Sequence, residues 1–226
     1  MSIQKLYKRH TVPVTLLLAI MGALLLSTIL VSQRTQAYQQ LVEEQLNEQY
    51  QVVQDFATAA AQNQAGSAFG VLITDCPQSQ RLAFDRLLGR LDAGPSRTEL
   101  LELDQLFSAC AHIRAERKAV IVAQLKREVQ VLHSYAVQLG TLTGADATET
   151  YGVDSWEKLV EYEATQSEDL AELVVAQKNI IEALLDGKSA DSEEMLLILD
   201  AVKESQESLL FAGTQATTIR TELLTR

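Results

Sequence analysis

The sequence predicts an all-α chain: a single N-terminal transmembrane helix continuing into an exported up-and-down helical bundle with long antiparallel helices. Three observations predict it. Residues Val12–Val31 read VPVTLLLAIMGALLLSTILV, twenty positions with no charge and nothing more polar than serine or threonine. Beyond them, apolar residues recur at spacings of three and four, the period of a helix face. The three prolines, Pro13, Pro77 and Pro95, and most of the glycines fall at the ends of these periodic runs, so breakers and periodicity agree.

Twenty residues at about 1.5 Å each cover the roughly 30 Å hydrocarbon core, where only a helix satisfies its own amides. Lys5, Lys8 and Arg9 precede the run with no acidic residue among the first eleven, while Glu43, Glu44 and Glu48 soon follow it. Positive flanks stay in the cytoplasm. The expected layout is a cytoplasmic stub at 1–11, a signal-anchor span at 12–31, a helical stalk at 32–65 and an exported bundle at 66–226, held in an inner or plasma membrane with the bulk periplasmic or extracellular. The competing reading is a cleaved signal peptide ending near Thr35-Gln36-Ala37. Its apolar region would run only about 7 to 15 residues, shorter than this one.

Past the span, Tyr38, Leu41, Leu46, Tyr50, Val53, Phe56 and Ala60 continue an apolar stripe with no breaker before Gly66. A stripe this narrow needs a partner helix from the same chain or from a second copy. Residues 66–75, GSAFGVLITD, form a connector, and Asp75 or Cys76 caps a helix with Pro77 in its first turn. Leu82, Phe84, Leu87, Leu88 and Leu91 are its buried face, and Gly94-Pro95 ends it. Ser96 and Glu99 spell a capping box opening a helix from about Arg97 to Leu139. Its inner face is Leu100, Leu103, Leu106, Phe107, Cys110 and Ile113, then Ile121, Leu125, Val129, Leu132, Ala136 and Leu139, with the charged RAERK segment (114–118) between.

Gly140–Gly152 reads as a polar loop, and Asp154 or Ser155 as the cap of a helix lined by Leu159, Tyr162, Leu170, Leu173, Val174, Ile180, Ile181 and Leu184. Asp186-Gly187-Lys188 is a stop with glycine in the left-handed position. Asp191 and Glu194 look like a second capping box. The last helix carries Met195, Leu196, Ile198, Leu199, Val202, Leu209, Leu210, Ile219 and Leu223, and the short turn before it makes an antiparallel hairpin.

Charge narrows the function. Setting aside Lys5, Lys8 and Arg9, 16 basic residues stand against 30 acidic ones, a balance of −14. Such a body repels nucleic acid and anionic headgroups. Cys76 and Cys110 are the only cysteines, and they flank the Gly94-Pro95 turn almost symmetrically. Folding the two helices back on each other brings them level, so a disulfide is expected in an oxidising compartment, worth about 3 to 4 kcal/mol. No metal site is expected: His112 points about 200° away from Cys110 around one helix, and His133 lies roughly 31 Å further along it.

No haem, zinc-protease, phosphate-loop or serine-hydrolase motif occurs. No cofactor or enzymatic activity is expected. Arg114, Arg117, Lys118, Lys126 and Arg127 are a candidate patch for an anion or a partner, and Leu209 and Phe211 are candidate partner contacts. Glu157, Glu161, Glu168 and Glu172 form acidic ridges that complementary helices would explain. The expected function is a single-span membrane-anchored extracytoplasmic scaffold or accessory protein of the cell envelope, acting on a second copy or on another membrane or periplasmic protein. The alternative is a periplasmic ligand-sensing four-helix bundle that signals through a partner.

Overall fold

Where the sequence leaves long stretches free of breakers, long helices form. The computed structural model describes residues 3–64, 86–87, 89–90, 94–107 and 112–225. Six helices are described: α1 (Ile3–Gln64), α2 (Arg97–Leu106), α3 (His112–Thr143), α4 (Ala147–Thr150), α5 (Val153–Leu185) and α6 (Glu193–Leu224), with no strand among the described residues. The 62 residues of α1 make one rod of about 93 Å. Among the described residues no helix is both long and apolar enough to cross a membrane. The side chains of Val12–Ala19, the first part of the predicted span, lie outside that description.

Local chemistry sets the helix ends. Ser96 Oγ accepts the Glu99 N–H at 3.3 Å and Glu99 Oε2 accepts the Ser96 N–H at 2.9 Å, the expected capping box at the start of α2. At the end of α5, Gly187 has φ +78°, which brings the Lys188 N–H to Ala183 O at 2.9 Å and the Gly187 N–H to Leu184 O at 3.1 Å. This pair of bonds closes the helix in a Schellman motif.

Three expected boundaries are corrected. Ser192, not Asp191, caps α6, because Ser192 sits in the extended region and its Oγ accepts the Met195 N–H. Asp191 instead accepts the Ser189 hydroxyl, and Glu194 accepts Lys188. Gly152, with φ +60° and no side-chain cap, opens α5; its carbonyl accepts both the Ser155 and Trp156 N–H groups, so Asp154 and Ser155 already lie in the first turn. The expected loop at 140–152 is mostly helix. α3 runs on to Thr143, the chain turns at Gly144 (φ +72°), and Asp146 caps α4 through the Thr148 and Glu149 N–H groups.

The long helices pack in chain order and alternate in direction. α1 lies against α3, α3 against α5 and α5 against α6, with α1 also touching α6 and α2 packing on α5. One core joins Val42, Leu46, Val53 and Ala57 of α1 with Leu125–Leu139 of α3, Trp156 and Leu159 of α5, and Ala216 and Leu223 of α6. A second joins Leu87 and α2 to Leu173–Ala183 of α5 and Met195 and Val202 of α6. The apolar stripe that follows Tyr38 therefore finds its partner in the same chain, and residues 42–57 belong to the bundle and do not form a free stalk.

Packing also moves several expected faces by one ridge. Val42 and Ala57 are buried in α1 while Tyr38 and Leu41 are exposed; Ala115 and Val122 are buried in α3 while Ile113 is 40% exposed. Leu196 and Leu210 of α6 face outward, and Trp156, whose burial the apolar pattern does not announce, is fully buried. The connector at 66–75, the cap at Asp75 or Cys76, Leu82, Phe84, Leu88, Leu91 and the middle of the long helix at 108–111 lie outside the described residues.

Two predictions follow from this packing. Leu46 is fully buried between α1 and α3, so Leu46→Ala lowers unfolding free energy by about 2–5 kcal/mol in a urea titration; a free stalk would show no change. Asp146 is held below the ordinary carboxylate range by the Thr148 hydroxyl and then the Glu149 N–H, and Glu99 by the Ser96 backbone and hydroxyl. A depressed carboxylate stabilises fully above its unfolded value and loses that contribution as pH falls through the folded one. Amide protection at the starts of α2 and α4 thus falls below about pH 4, and Asp146→Ala abolishes the pH dependence at α4 alone.

Candidate functional site

Between the two cores the packing seam turns polar. On α3 the seam steps Ala115, Lys118, Val122, Leu125; on α5 it steps Trp156, Val160, Glu163, Ser167. These steps of three and four put Lys118 and Glu163 at positions a bundle reserves for apolar side chains. On α6, Arg220 follows Ala212 and Ala216 at fourth-residue spacing, and its long side chain leans back toward the helix start.

The three charges meet. Glu163 Oε2 accepts Lys118 Nζ at 2.9 Å, and Glu163 Oε1 accepts Arg220 Nη2. Lys118 Nζ also donates to Gln166 Oε1. Glu163 is 5% exposed and Arg220 4%, so one carboxylate ties α3, α5 and α6 together out of water. Ser167 and Ser205 are buried on the same two helices, α5 and α6. The arrangement depends on small residues across from it: a Cβ on Gly213 would lie 2.5 Å from Gln166 Nε2, the side chain that Lys118 holds.

What such a layer does is set by desolvation. A buried ion pair rarely adds net stability, since removing the charges from water costs several kcal/mol per ion, but breaking it leaves a charge with no counterpart. Sliding α6 by a turn along α5, or α3 along α5, separates the partners. The layer therefore acts on register, and no bond-making chemistry is apparent in it.

A second polar contact set lies at the other end of the first core. Tyr151 Oη donates to Asn47 Oδ1 at 2.7 Å, and Tyr50 packs edge-on against Tyr151 and Trp156 with centroids 5.4 and 6.3 Å away. Burial, then the Glu43 carboxylate and Tyr50, push the Tyr151 phenol upward, keeping it neutral and able to donate. Gln39 Nε2 donates to Leu142 O at 2.8 Å, and Gln49 Nε2 to Glu128 O at 3.1 Å. Together these bonds fasten α1 to α3 and to the start of α5.

The described members of the sequence-predicted patch diverge. Lys118 turns inward onto Glu163, whereas Arg117, Lys126 and Arg127 are exposed. Arg117 and Lys126 stand nine residues apart, about 180° around the helix, so they share no face. The side chain of Arg114 lies outside the described residues, as do Cys76, Cys110 and the disulfide expected between them. Leu209 is half-buried against the second core, and Phe211 is 60% exposed with its ring 6.3 Å from that of Tyr162.

His133 Nδ1 lies 2.6 Å from Glu157 Oε1 on the bundle surface, so one member of the acidic ridge has a partner on α3. Among the described residues no group of metal-ligating side chains forms. Sequence reasoning missed Glu163, Gln166 and Arg220. The signal was present: each stands in a seam otherwise filled by apolar or small residues.

Comparison with protein-family models, with curated proteins and with solved structures finds no match to this chain.

Glu163→Gln removes the carboxylate shared by half-buried Lys118 and buried Arg220 and lowers unfolding free energy by about 3–5 kcal/mol in urea titration. Replacing Lys118, Glu163 and Arg220 together with Met, Leu and Met returns most of that loss. Equal losses in the single and the triple variant would contradict the layer's role.

Proposed function

We propose that the chain is a single-span, membrane-anchored extracytoplasmic helical scaffold or accessory protein that acts through protein–protein interaction in the cell envelope. The observation that carries it is the uncovered stretch of α1. Ile20, Met21, Leu24, Leu25, Leu26, Ile29, Leu30 and Val31 are each 52–64% exposed on an unbroken helix. Apolar surface costs about 25 cal/mol per Å² in water. A helix apolar all round needs either a protein core or lipid, and no described part of the chain covers this one.

The polar groups of the same stretch support the reading. Ser27 and Thr28 donate their hydroxyls to Leu24 O and Leu25 O, each at 2.8 Å, which leaves neither requiring water. Val12–Ala19 extends the apolar run in sequence, and Lys5, Lys8 and Arg9 orient it with the preceding residues in the cytoplasm. Tyr38 and Gln39, which bond Gln138 and Leu142, lie only about 10–12 Å along the helix from Val31. The body would then stand close to the lipid surface, with its helices along the membrane normal.

A scaffold is favoured over a ligand sensor because the inward-facing cations Lys118 and Arg220 are engaged by Glu163, and the exposed ones scatter around α3. No enzymatic step is assigned. In an exported, oxidising compartment Cys76 and Cys110 are expected to pair.

The anchored reading predicts that the chain stays in the membrane pellet through an alkaline carbonate wash. Protease added outside spheroplasts should then digest the body and spare a fragment containing Lys5–Arg9. Release by carbonate, or a body protected from external protease, would overturn it.

A further inference from the structure

The outer face of α6 carries a second seam that no described helix packs against. Leu210, Thr214, Thr217, Thr221 and Leu224 follow at steps of four, three, four and three, the spacing of a helix that packs on another helix, and all five are exposed. Leu210 is 73% exposed and Phe211, beside it, 60%. The inner seam of the same helix, Val202, Ser205, Ala212, Ala216 and Leu223, is buried. α6 is thus patterned on two sides, and among the described residues only one is covered.

The threonines are prepared for burial. Thr214 Oγ1 donates to Leu210 O at 2.8 Å, Thr217 to Gly213 O at 2.8 Å, Thr218 to Thr214 O at 3.0 Å and Thr221 to Thr217 O at 2.8 Å. Each hydroxyl proton is spent within the helix, and the side chains offer their methyl groups outward. Covering this face therefore leaves no hydroxyl donor unpaired, which is the usual cost of burying a polar side chain. The outer face of α3 from Val129 to Thr143 carries no Asp, Glu, Lys or Arg either, but it exposes Gln130 and Ser134 and bears His133, whose ring pairs with Glu157.

Charge says what covers it. The body is strongly acidic, yet Ser208–Ile219 contains no charged residue. Two copies rooted in one membrane by α1 meet in the same orientation, so around a two-fold axis along the membrane normal every residue at the contact faces its own counterpart. A charged residue there faces a like charge at close range, and only a neutral stripe escapes that penalty. Confinement to a surface also raises the effective concentration of one copy for another.

We propose that Leu210, Phe211, Thr214, Thr217 and Thr221 of α6 form a parallel contact with the same residues of a second copy of this chain. The orientation of the contact rests on the anchored reading above; the seam itself does not.

The test uses the full chain in phosphatidylcholine vesicles, with donor- and acceptor-labelled copies read by energy transfer, and the variants Thr217→Lys and Thr217→Glu. Thr217 is exposed, so both variants should melt as the unsubstituted chain does. Each alone should weaken self-association about tenfold or more, and an equimolar mixture should recover it, because Lys then faces Glu. Transfer unchanged in either variant, a mixture no better than its components, or no transfer in the unsubstituted chain would overturn the contact. So would a photocrosslinker at Phe211 that captures only a different polypeptide. If the chain fails to stay in the vesicles, the anchored reading fails by itself; sedimentation of the released chain and its Thr217 variants then tests the α6 contact without the membrane.

Discussion

The structure depends on α1 keeping one seam in register with α3 after it has ceased to be apolar all round. From Ile20 to Val31 the helix shows no preferred face; among the described side chains from Val42 onward, Val42, Leu46, Val53 and Ala57 alone are fully buried along it. A continuous helix transmits direction and rotation, so whatever fixes the first part of the rod orients the rest. The clasp of Asn47, Tyr50 and Tyr151 with Trp156 and the bonds from Gln39 and Gln49 to α3 make the joint resistant to twisting as well as to separation. The bundle is therefore an extension of its own first helix and not a separate body on a tether.

Apolar packing alone leaves such a bundle free to slide. Heptad-like seams of leucine, valine and alanine fit nearly as well one turn up or down, and the short residues on α6 give little steric resistance. The layer of Lys118, Glu163 and Arg220 lifts that degeneracy, because any slip places an unpaired charge against aliphatic side chains. It sits between the two cores, where each is furthest from its own anchoring contacts. Gly213 and Gln166 complete the layer by letting α6 approach α5 closely enough for the arginine to reach.

Helix ends were legible where a single residue could serve. Ser96 with Glu99, and Gly187 between Asp186 and Lys188, each had no neighbour competing for the role. Where two cap-forming residues stood side by side, as with Asp191 and Ser192, backbone geometry made a choice that composition does not encode. The start of α5 escaped because Gly152 caps through its carbonyl and its left-handed φ, with no side chain to recognise. Faces were legible to within one ridge: Leu41 and Val42, or Ile121 and Val122, differ only by the 100° that the neighbouring helix decides. The ionic layer was hidden for a different reason. Glu163 and Arg220 read as ordinary surface charges unless the seam is counted through them, and the cationic run from Arg114 to Lys118 drew attention to a shared patch when its lysine points inward.

The proposed anchoring makes α1 one rod serving two solvents, and accessibility along the helix tests that directly. Nitroxide labels placed singly at Leu25, Leu30 and Glu44 of the full chain in vesicles can be read for collision with oxygen, which concentrates in lipid, and with a water-soluble nickel chelate. Labels at Leu25 and Leu30 should be relaxed by oxygen and shielded from nickel, and the label at Glu44 should show the reverse. Nickel access at Leu25 and Leu30 equal to that at Glu44 would contradict it.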